Sequence, residues 1–282
     1  MTHKDLTVII TTFKSEEKID SCLDSIDQNV KIIVIENSNN ISFKNYIESK
    51  YPNTECILTN ENLGYGKANN IGLKKAKTKY CLILNPDTIL GDEAINFFIE
   101  SVKKNNNFHI IGPLQTKNEF SKVNNSKENL ALIETKQVEG FAMFLNMKKF
   151  SNIGFFDENF FLYLEEIDLC KRVKDTQGKI FIDPNIKIFH FGGRAVNEIF
   201  SYEIELTRNW HWMWSLFYYN KKHKNYFYAL VLVLPKFFSA LFKTLFYQII
   251  FRKRKSKIYF NRLSGLFNSL IGKSSWYRPT LD

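Results

Sequence analysis

The chain has 282 residues, 44% of them hydrophobic and 24% charged, which excludes a disordered or wholly membrane-embedded protein and leaves room for one large α/β domain plus an appendage. Its four cysteines, Cys22, Cys56, Cys81 and Cys170, form no close pair, which argues against a disulfide framework or structural zinc site and fits a reducing compartment. The net charge of +10 is confined to the tail, because residues 221–282 hold thirteen Lys/Arg against one acid, Asp282, while the first 220 residues carry −2.

The first half alternates strand and helix signals. Residues 6–12 are an apolar, β-branched run, too short for the apolar stretch of a signal peptide, so the globular portion is expected to stay in the cell. Helical spacing over 18–28 follows (Ile19, Cys22, Leu23, Ile26), then a strand at 31–35, a helix at 43–50 and a strand at 55–58. Residues 66–77 read as helix, 80–84 as a buried strand, 92–103 as helix and 108–111 as a fifth strand. Short apolar strands separated by helices predict a parallel sheet covered on both faces, with ligands bound at the carboxyl ends of its strands. Beyond it, the polar stretch 116–136 reads as a loop or insertion, 138–147 as apolar, 160–173 as a helix or loop-helix and 179–189 as one strand. Trp210, His211, Trp212 and Trp214 share one helix with Tyr218 and Tyr219, and packing explains them better than sugar stacking.

The strand ends carry the chemistry. They read Thr11-Thr12-Phe13, Glu36-Asn37-Ser38, then Asn62-Leu63-Gly64-Tyr65-Gly66 with Asn69, and finally Asn85-Pro86-Asp87. Carboxylates and amides can read a ribose and a base, glycines admit close backbone approach, and a helix start suits phosphate. No dinucleotide-binding glycine motif and no Walker lysine motif is present. Asp87 suits a hard divalent cation beside a diphosphate, or it caps the next helix. His190, before Gly192-Gly193, is either a packed residue or a ligand-facing one, and Arg194 either holds phosphate or is a surface arginine.

These motifs, with residues 155–172 and 190–193, resemble inverting glycosyltransferase family 2, in particular the rhamnosyltransferase-like branch that builds bacterial surface polysaccharide. The likeness covers residues 6–223 and, less closely, 262–272. It implies an α/β GT-A fold, Rossmann-like, with a mostly parallel central sheet flanked by helices. It also implies a dTDP- or UDP-sugar donor, rhamnose among the candidate sugars, and a glycan or lipid-linked acceptor. Mg²⁺ or Mn²⁺ is the implied cofactor. By resemblance Glu36 contacts the nucleoside, and Asp87 matches the last acid of an Asp-x-Asp metal motif in which Asn85 replaces the first. His190 helps hold metal or diphosphate. Glu166 matches the general base, with Glu165 and Asp168 as alternates. A carboxylate in that role takes the proton from an attacking sugar hydroxyl. At helical spacing Glu165 and Asp168 share a face and Glu166 lies on another.

Residues 1–223 are thus expected to form the transferase domain and 224–282 a helical, membrane-associating tail. Residues 226–251 are long enough to span a bilayer but contain Pro235, Lys236 and Lys243. A helix or a pair broken at Pro235, lying in the interface with its lysines reaching outward, fits better. The bases at 252–257 would then meet an anionic membrane surface. The expected location is cytoplasmic, peripheral at the inner face of the plasma membrane. The rival readings are a nucleotide-sugar-binding scaffold without turnover, a nucleotidyltransferase and a nucleic-acid-binding protein. The apolar character of the tail and the slightly acidic sheet portion count against nucleic acid.

Overall fold

The computed structural model describes residues 1–114, 130–191 and 200–279. The chain forms two units, one of Met1–Leu63, Lys67–Phe156 and Leu169–Asn197, the other of Gly64–Gly66, Asp157–Asp168 and Glu198–Asp282.

In the first unit, β1 (Leu6–Thr12), β2 (Lys31–Glu36), β3 (Thr54–Leu58) and β4 (Tyr80–Leu84) alternate with α1 (Ile19–Asp24), α2 (Ile41–Lys50) and α3 (Tyr65–Lys75), as the apolar runs predict. β5 (Thr88–Leu90), α4 (Ala94–Lys104), β6 (Ile110–Pro113), β7 (Ile133–Glu134) and β8 (Ala142–Asn146) follow. After α5 (Glu165–Asp175) come β9 (Ile180–Asp183) and β10 (Ile188–His190). The eight-stranded sheet runs β3-β2-β1-β4-β8-β6-β9-β7, with β8 antiparallel to β4 and β6, and β7 antiparallel to β9. Chain order reverses at β1, which lies between β2 and β4, so the crevice of a doubly wound sheet opens at the ends of β1 and β4. β1, β2, β4, β6, β8 and β9 are buried along nearly their whole length, while the edge strand β7 is exposed, and Phe98, Phe108 and Phe144 fill the core beside Tyr80.

Two sequence expectations change here. The single strand at 179–189 is two strands, because Asp183 accepts hydrogen bonds from the backbone and side chain of Asn185 and turns the chain at Pro184. β10 then leaves the main sheet to pair antiparallel with β5. The loop expected at 116–136 contains β7 at its end, while residues 115–129 lie outside the described residues.

The second unit contains α6 (Ser201–His223), α7 (Tyr226–Ile249) and α8 (Lys253–Leu270). Met213 and Phe217 of α6, Ala229 and Val233 of α7, and Leu266 of α8 form one buried cluster. α6 and α8 meet at Gly265, where a Cβ would come 2.1 Å from the Trp210 carbonyl oxygen, so no larger residue fits without separating the helices. Trp210 and Trp214 are buried and donate to Ser264 Oγ at 3.1 Å and the Lys273 carbonyl at 2.9 Å, the packing role expected of them. α6, which ends at His223, packs with both tail helices in this cluster. α7 is one helix passing through Pro235, not a broken pair.

Candidate functional site

The strand-end residues of the first unit form a connected network. Thr12 Oγ1 donates to the Ile35 carbonyl at 3.3 Å, tying β1 to β2, and Thr11 Oγ1 donates to Asn69 Oδ1 of α3 at 3.1 Å. The Phe13 amide donates to Ser15 Oγ at 3.2 Å, which shapes the turn after β1. Glu36 is buried, and its carboxylate accepts the Ser38 amide at 3.0 Å, the Ser38 hydroxyl and the Asn40 amide at 2.6 Å. Its first role is thus to fold the loop after β2, which leaves its remaining lone pairs for a ligand. Asn37 Nδ2 donates to Asn62 Oδ1 at 3.0 Å while Asn37 Oδ1 accepts the Leu63 amide at 2.9 Å, so the loops after β2 and β3 are held as one piece.

Asp87 is the exception in this network. It is 3% exposed, yet neither carboxylate oxygen has a hydrogen-bond partner. A buried carboxylate without donors is expensive, and such groups are ordinarily paired or coordinate a cation. Asp87 does not cap a helix: β5 begins one residue later, and α4 starts at Ala94. The pairing of β5 with β10 puts His190 opposite Thr88, with Nε2 3.3 Å from Asp87 Oδ1 and 3.4 Å from Asn85 Nδ2. His190 stacks on Phe141 at 4.6 Å between ring centroids, which fixes the plane of the imidazole. Asp87 also lines a cavity of about 250 Å³ with Glu17, Lys18, Ser21 and Phe191.

Among the described residues no three His, Cys, Asp or Glu side chains converge as a metal cage. One carboxylate and one imidazole still fit Mg²⁺ or Mn²⁺, which keep several positions for phosphate oxygens and water. Phe141 was missed in sequence because nothing in an apolar strand start marks it. Asn70 was missed as a positioning residue, although it exchanges two hydrogen bonds with the Phe156 backbone at 2.9 and 3.0 Å. Arg194 lies outside the described residues.

The acidic cluster begins in the second unit. Tyr163 and Leu164 both take left-handed backbone (φ 70° and 69°), a strained pair that turns the chain into α5. Asp168 is fully buried and paired with Lys222 Nζ at 2.6 Å and His223 Nε2 at 2.8 Å. Lys222 also binds Asp157 at 2.7 Å, so Asp168 clasps the start of α5 to the end of α6. Glu165, on the same helix face, is 4% exposed, and its Oε2 lacks a hydrogen-bond partner. Burial, reinforced by the neighbouring Glu166 carboxylate, holds the Glu165 carboxyl well above the usual range. Glu166 is half-buried and lies off that face, as helical spacing predicts. The remaining glycine-loop residues belong here too. Gly64 has φ +81°, and a Cβ on it would come 2.3 Å from the Phe161 carbonyl, which accepts the Tyr65 amide at 3.0 Å. The close approach that Gly64 permits here is to protein backbone. The Tyr65-Gly66 step opens α3.

His211 of α6 stacks on Phe161, and its Nε2 lies 2.8 Å from the Tyr277 carbonyl. Burial pulls this imidazole from 6.5 down to about 3. The folded protein thus leaves His211 neutral at pH values where the unfolded chain binds a proton, so stability is full above pH 6.5 and declines as pH falls toward 3. His211→Leu is expected to flatten part of that slope in urea melts; an unchanged profile would place the acid sensitivity elsewhere.

A doubly wound sheet with two antiparallel strands, a polar network at the switch point and an acid–histidine pair beyond β4 defines a GT-A glycosyltransferase fold. Residues 7–170 match the profile of Glycosyl transferase family 2, and the chain belongs to that family. It is 26% identical over 194 residues to the low-salt glycan biosynthesis hexosyltransferase of Haloferax volcanii, covering 60% of this chain and 62% of that protein. Over 229 residues it is 23% identical to the rhamnosyltransferase WbbL of Escherichia coli, covering 69% and 86%. The chain thus spans under two thirds of the first of these relatives. Among solved structures, the Pyrobaculum calidifontis mannosyltransferase in complex with GDP-Man and Mn²⁺ superposes with a TM-score of 0.59 at 13% identity, over 94% of this chain and 87% of that one. TarS of S. aureus in complex with UDP-GlcNAc gives 0.55 at 14% identity, over 97% and 93%.

Proposed function

We propose that this protein transfers a sugar, rhamnose being the first candidate, from a dTDP- or UDP-linked donor to a hydroxyl of a glycan or lipid-linked acceptor. The product would be cell-surface polysaccharide, made at the cytoplasmic face of the plasma membrane. The observation that carries this reading is the buried Asp87 carboxylate, which accepts no hydrogen bond, with His190 Nε2 3.3 Å from it after β4. Asp87 and His190 would hold Mg²⁺ or Mn²⁺, which when bound supplies Lewis-acid stabilisation of the leaving nucleoside diphosphate. Phe141 keeps the plane of the His190 ring in place for this. The loops built by Thr11, Thr12, Phe13, Glu36, Asn37, Asn62 and Asn69 would receive the nucleoside. Glu166 would take the proton of the acceptor hydroxyl as it attacks the anomeric carbon from the face opposite the leaving group, giving inversion. Asp168 is committed to Lys222 and His223, and the Glu165 carboxyl is held toward its protonated form, so neither is the better base.

The relatives' names support a hexosyl or rhamnosyl donor and glycan assembly. The test is a thermal-shift panel of nucleotide sugars with and without Mn²⁺. A specific donor at a hundred times its Kd should stabilise the fold by about 2.7 kcal/mol. A Mn²⁺-dependent shift with dTDP- or UDP-sugars, followed by transfer to an acceptor, is the expected result. No shift with any nucleotide would overturn the reading, and a shift without turnover would favour the scaffold alternative.

A further inference from the structure

α7 carries an apolar face that the protein does not cover. Its 24 residues make a helix about 36 Å long. One side packs through Ala229, Val233 and Ala240, and only 17% of its most apolar stretch is buried. On the other side Phe227 (73% exposed), Phe238 (60%), Phe242 (68%), Leu245 (56%) and Ile249 (73%) follow one another at helical spacing. Lys236 and Lys243 lie away from this row, and the Lys243 ammonium sits 5.1 Å over the Tyr259 ring of α8. A core helix of a soluble protein would be mostly buried, and a solvated one would not present such a row.

The surroundings identify what covers it. Phe251 is 85% exposed, and it is followed at once by Arg252, Lys253, Arg254, Lys255 and Lys257, all exposed. An uncharged aromatic face ending in a cluster of bases complements the acyl boundary and headgroups of an anionic bilayer. α8 also decides the orientation. It runs back along α7, with Ser256 Oγ bonded to the Thr244 carbonyl at one end and Leu266 packed near Ala229 and Val233 at the other. If α7 crossed the bilayer, α8 would have to take its basic start, Asn261 and Arg262 into hydrocarbon with it, at heavy cost.

We infer that α7 lies flat in the surface of an anionic phospholipid membrane as a one-sided anchor, with the bases at 252–257 on the lipid headgroups. This rests on α7 and α8 alone and stands whether or not the transferase reading holds.

The test uses the full chain with vesicles of phosphatidylcholine, alone or mixed with phosphatidylglycerol. The protein should sediment with the anionic vesicles. Phe238→Asp with Phe242→Asp should cut partitioning by at least about a hundredfold. Lys253→Glu with Lys255→Glu should cut it by at least about thirtyfold on anionic vesicles and leave neutral ones unaffected. These side chains are exposed, so the melting of both variants should match the parent. Lys224→Cys and Lys253→Cys, which flank α7, should both react with an impermeant maleimide added outside. Protection of one end would show a span and overturn the inference. So would binding that the phenylalanine variants do not weaken, or a wild-type dimer that those variants dissociate and that ignores vesicles.

Discussion

Replacing Asp87 by Asn is expected to uncouple stability from function. The carboxylate is buried and accepts no hydrogen bond, with His190 Nε2 3.3 Å from Oδ1, so the metal-free protein recovers little of its desolvation cost. An unsatisfied buried polar group costs about 1–3 kcal/mol and a charged one more. Asn is nearly the same size and removes the charge, so metal-free Asp87→Asn should melt at the same temperature as the parent or higher. The same change should erase the Mn²⁺ dependence of donor binding and lower turnover by roughly 10²–10³-fold, the scale on which an electrostatic stabiliser of the leaving group acts. Chelation of the parent should reproduce the loss of activity without the gain in stability. If Asp87→Asn keeps a full Mn²⁺-dependent shift with donor, the cation is held elsewhere and the role given to Asp87 is wrong. A variant that simply unfolds would mean that the carboxylate has structural partners in solution.

The second large effect is at the start of α5. Glu166→Gln should lower kcat by about 10²–10⁴-fold, the usual contribution of a general base, while the donor still binds and still raises the melting temperature. Its half-exposed position means that its own stability change should be small. Glu165→Gln should behave oppositely. With its folded carboxyl held above 4.5, Glu165 binds a proton more tightly in the folded state, so its contribution is full below pH 4.5 and is lost as pH rises through the folded value. A neutral glutamine there should keep activity and reduce the decline of stability on the alkaline side. If kcat collapses in Glu165→Gln and survives in Glu166→Gln, the base has been assigned to the wrong neighbour.

The candidate site was legible in unequal parts. Thr11, Glu36, Asn37 and Asp87 were found because a parallel sheet must place polar residues at the carboxyl ends of its strands, and apolar β-branched runs mark where those strands stop. The same logic could not say which of these residues hold loops and which are left open. Glu36 and Asp87 are both buried acids after a strand, yet one is ringed by its own turn's donors and the other accepts no hydrogen bond and lies beside His190. Nor could it rank the three acids of α5, because spacing says only that Glu165 and Asp168 share a face, not that the face is the buried one.

By itself the sequence determined the period-two and helical patterns, hence the mostly parallel sheet, the family motifs and the concentration of positive charge in an apolar tail. Those depend on neighbours within a few residues, which the chain order already contains. Only the tertiary structure decided that β8 enters between β4 and β6 antiparallel, that β10 leaves the main sheet to bring His190 to Asp87, and that α7 shows its aromatic side outward. Each of these depends on which distant segment supplies a hydrogen-bond ladder or a packing surface, a choice made by the whole fold's burial and not by any local run of residues.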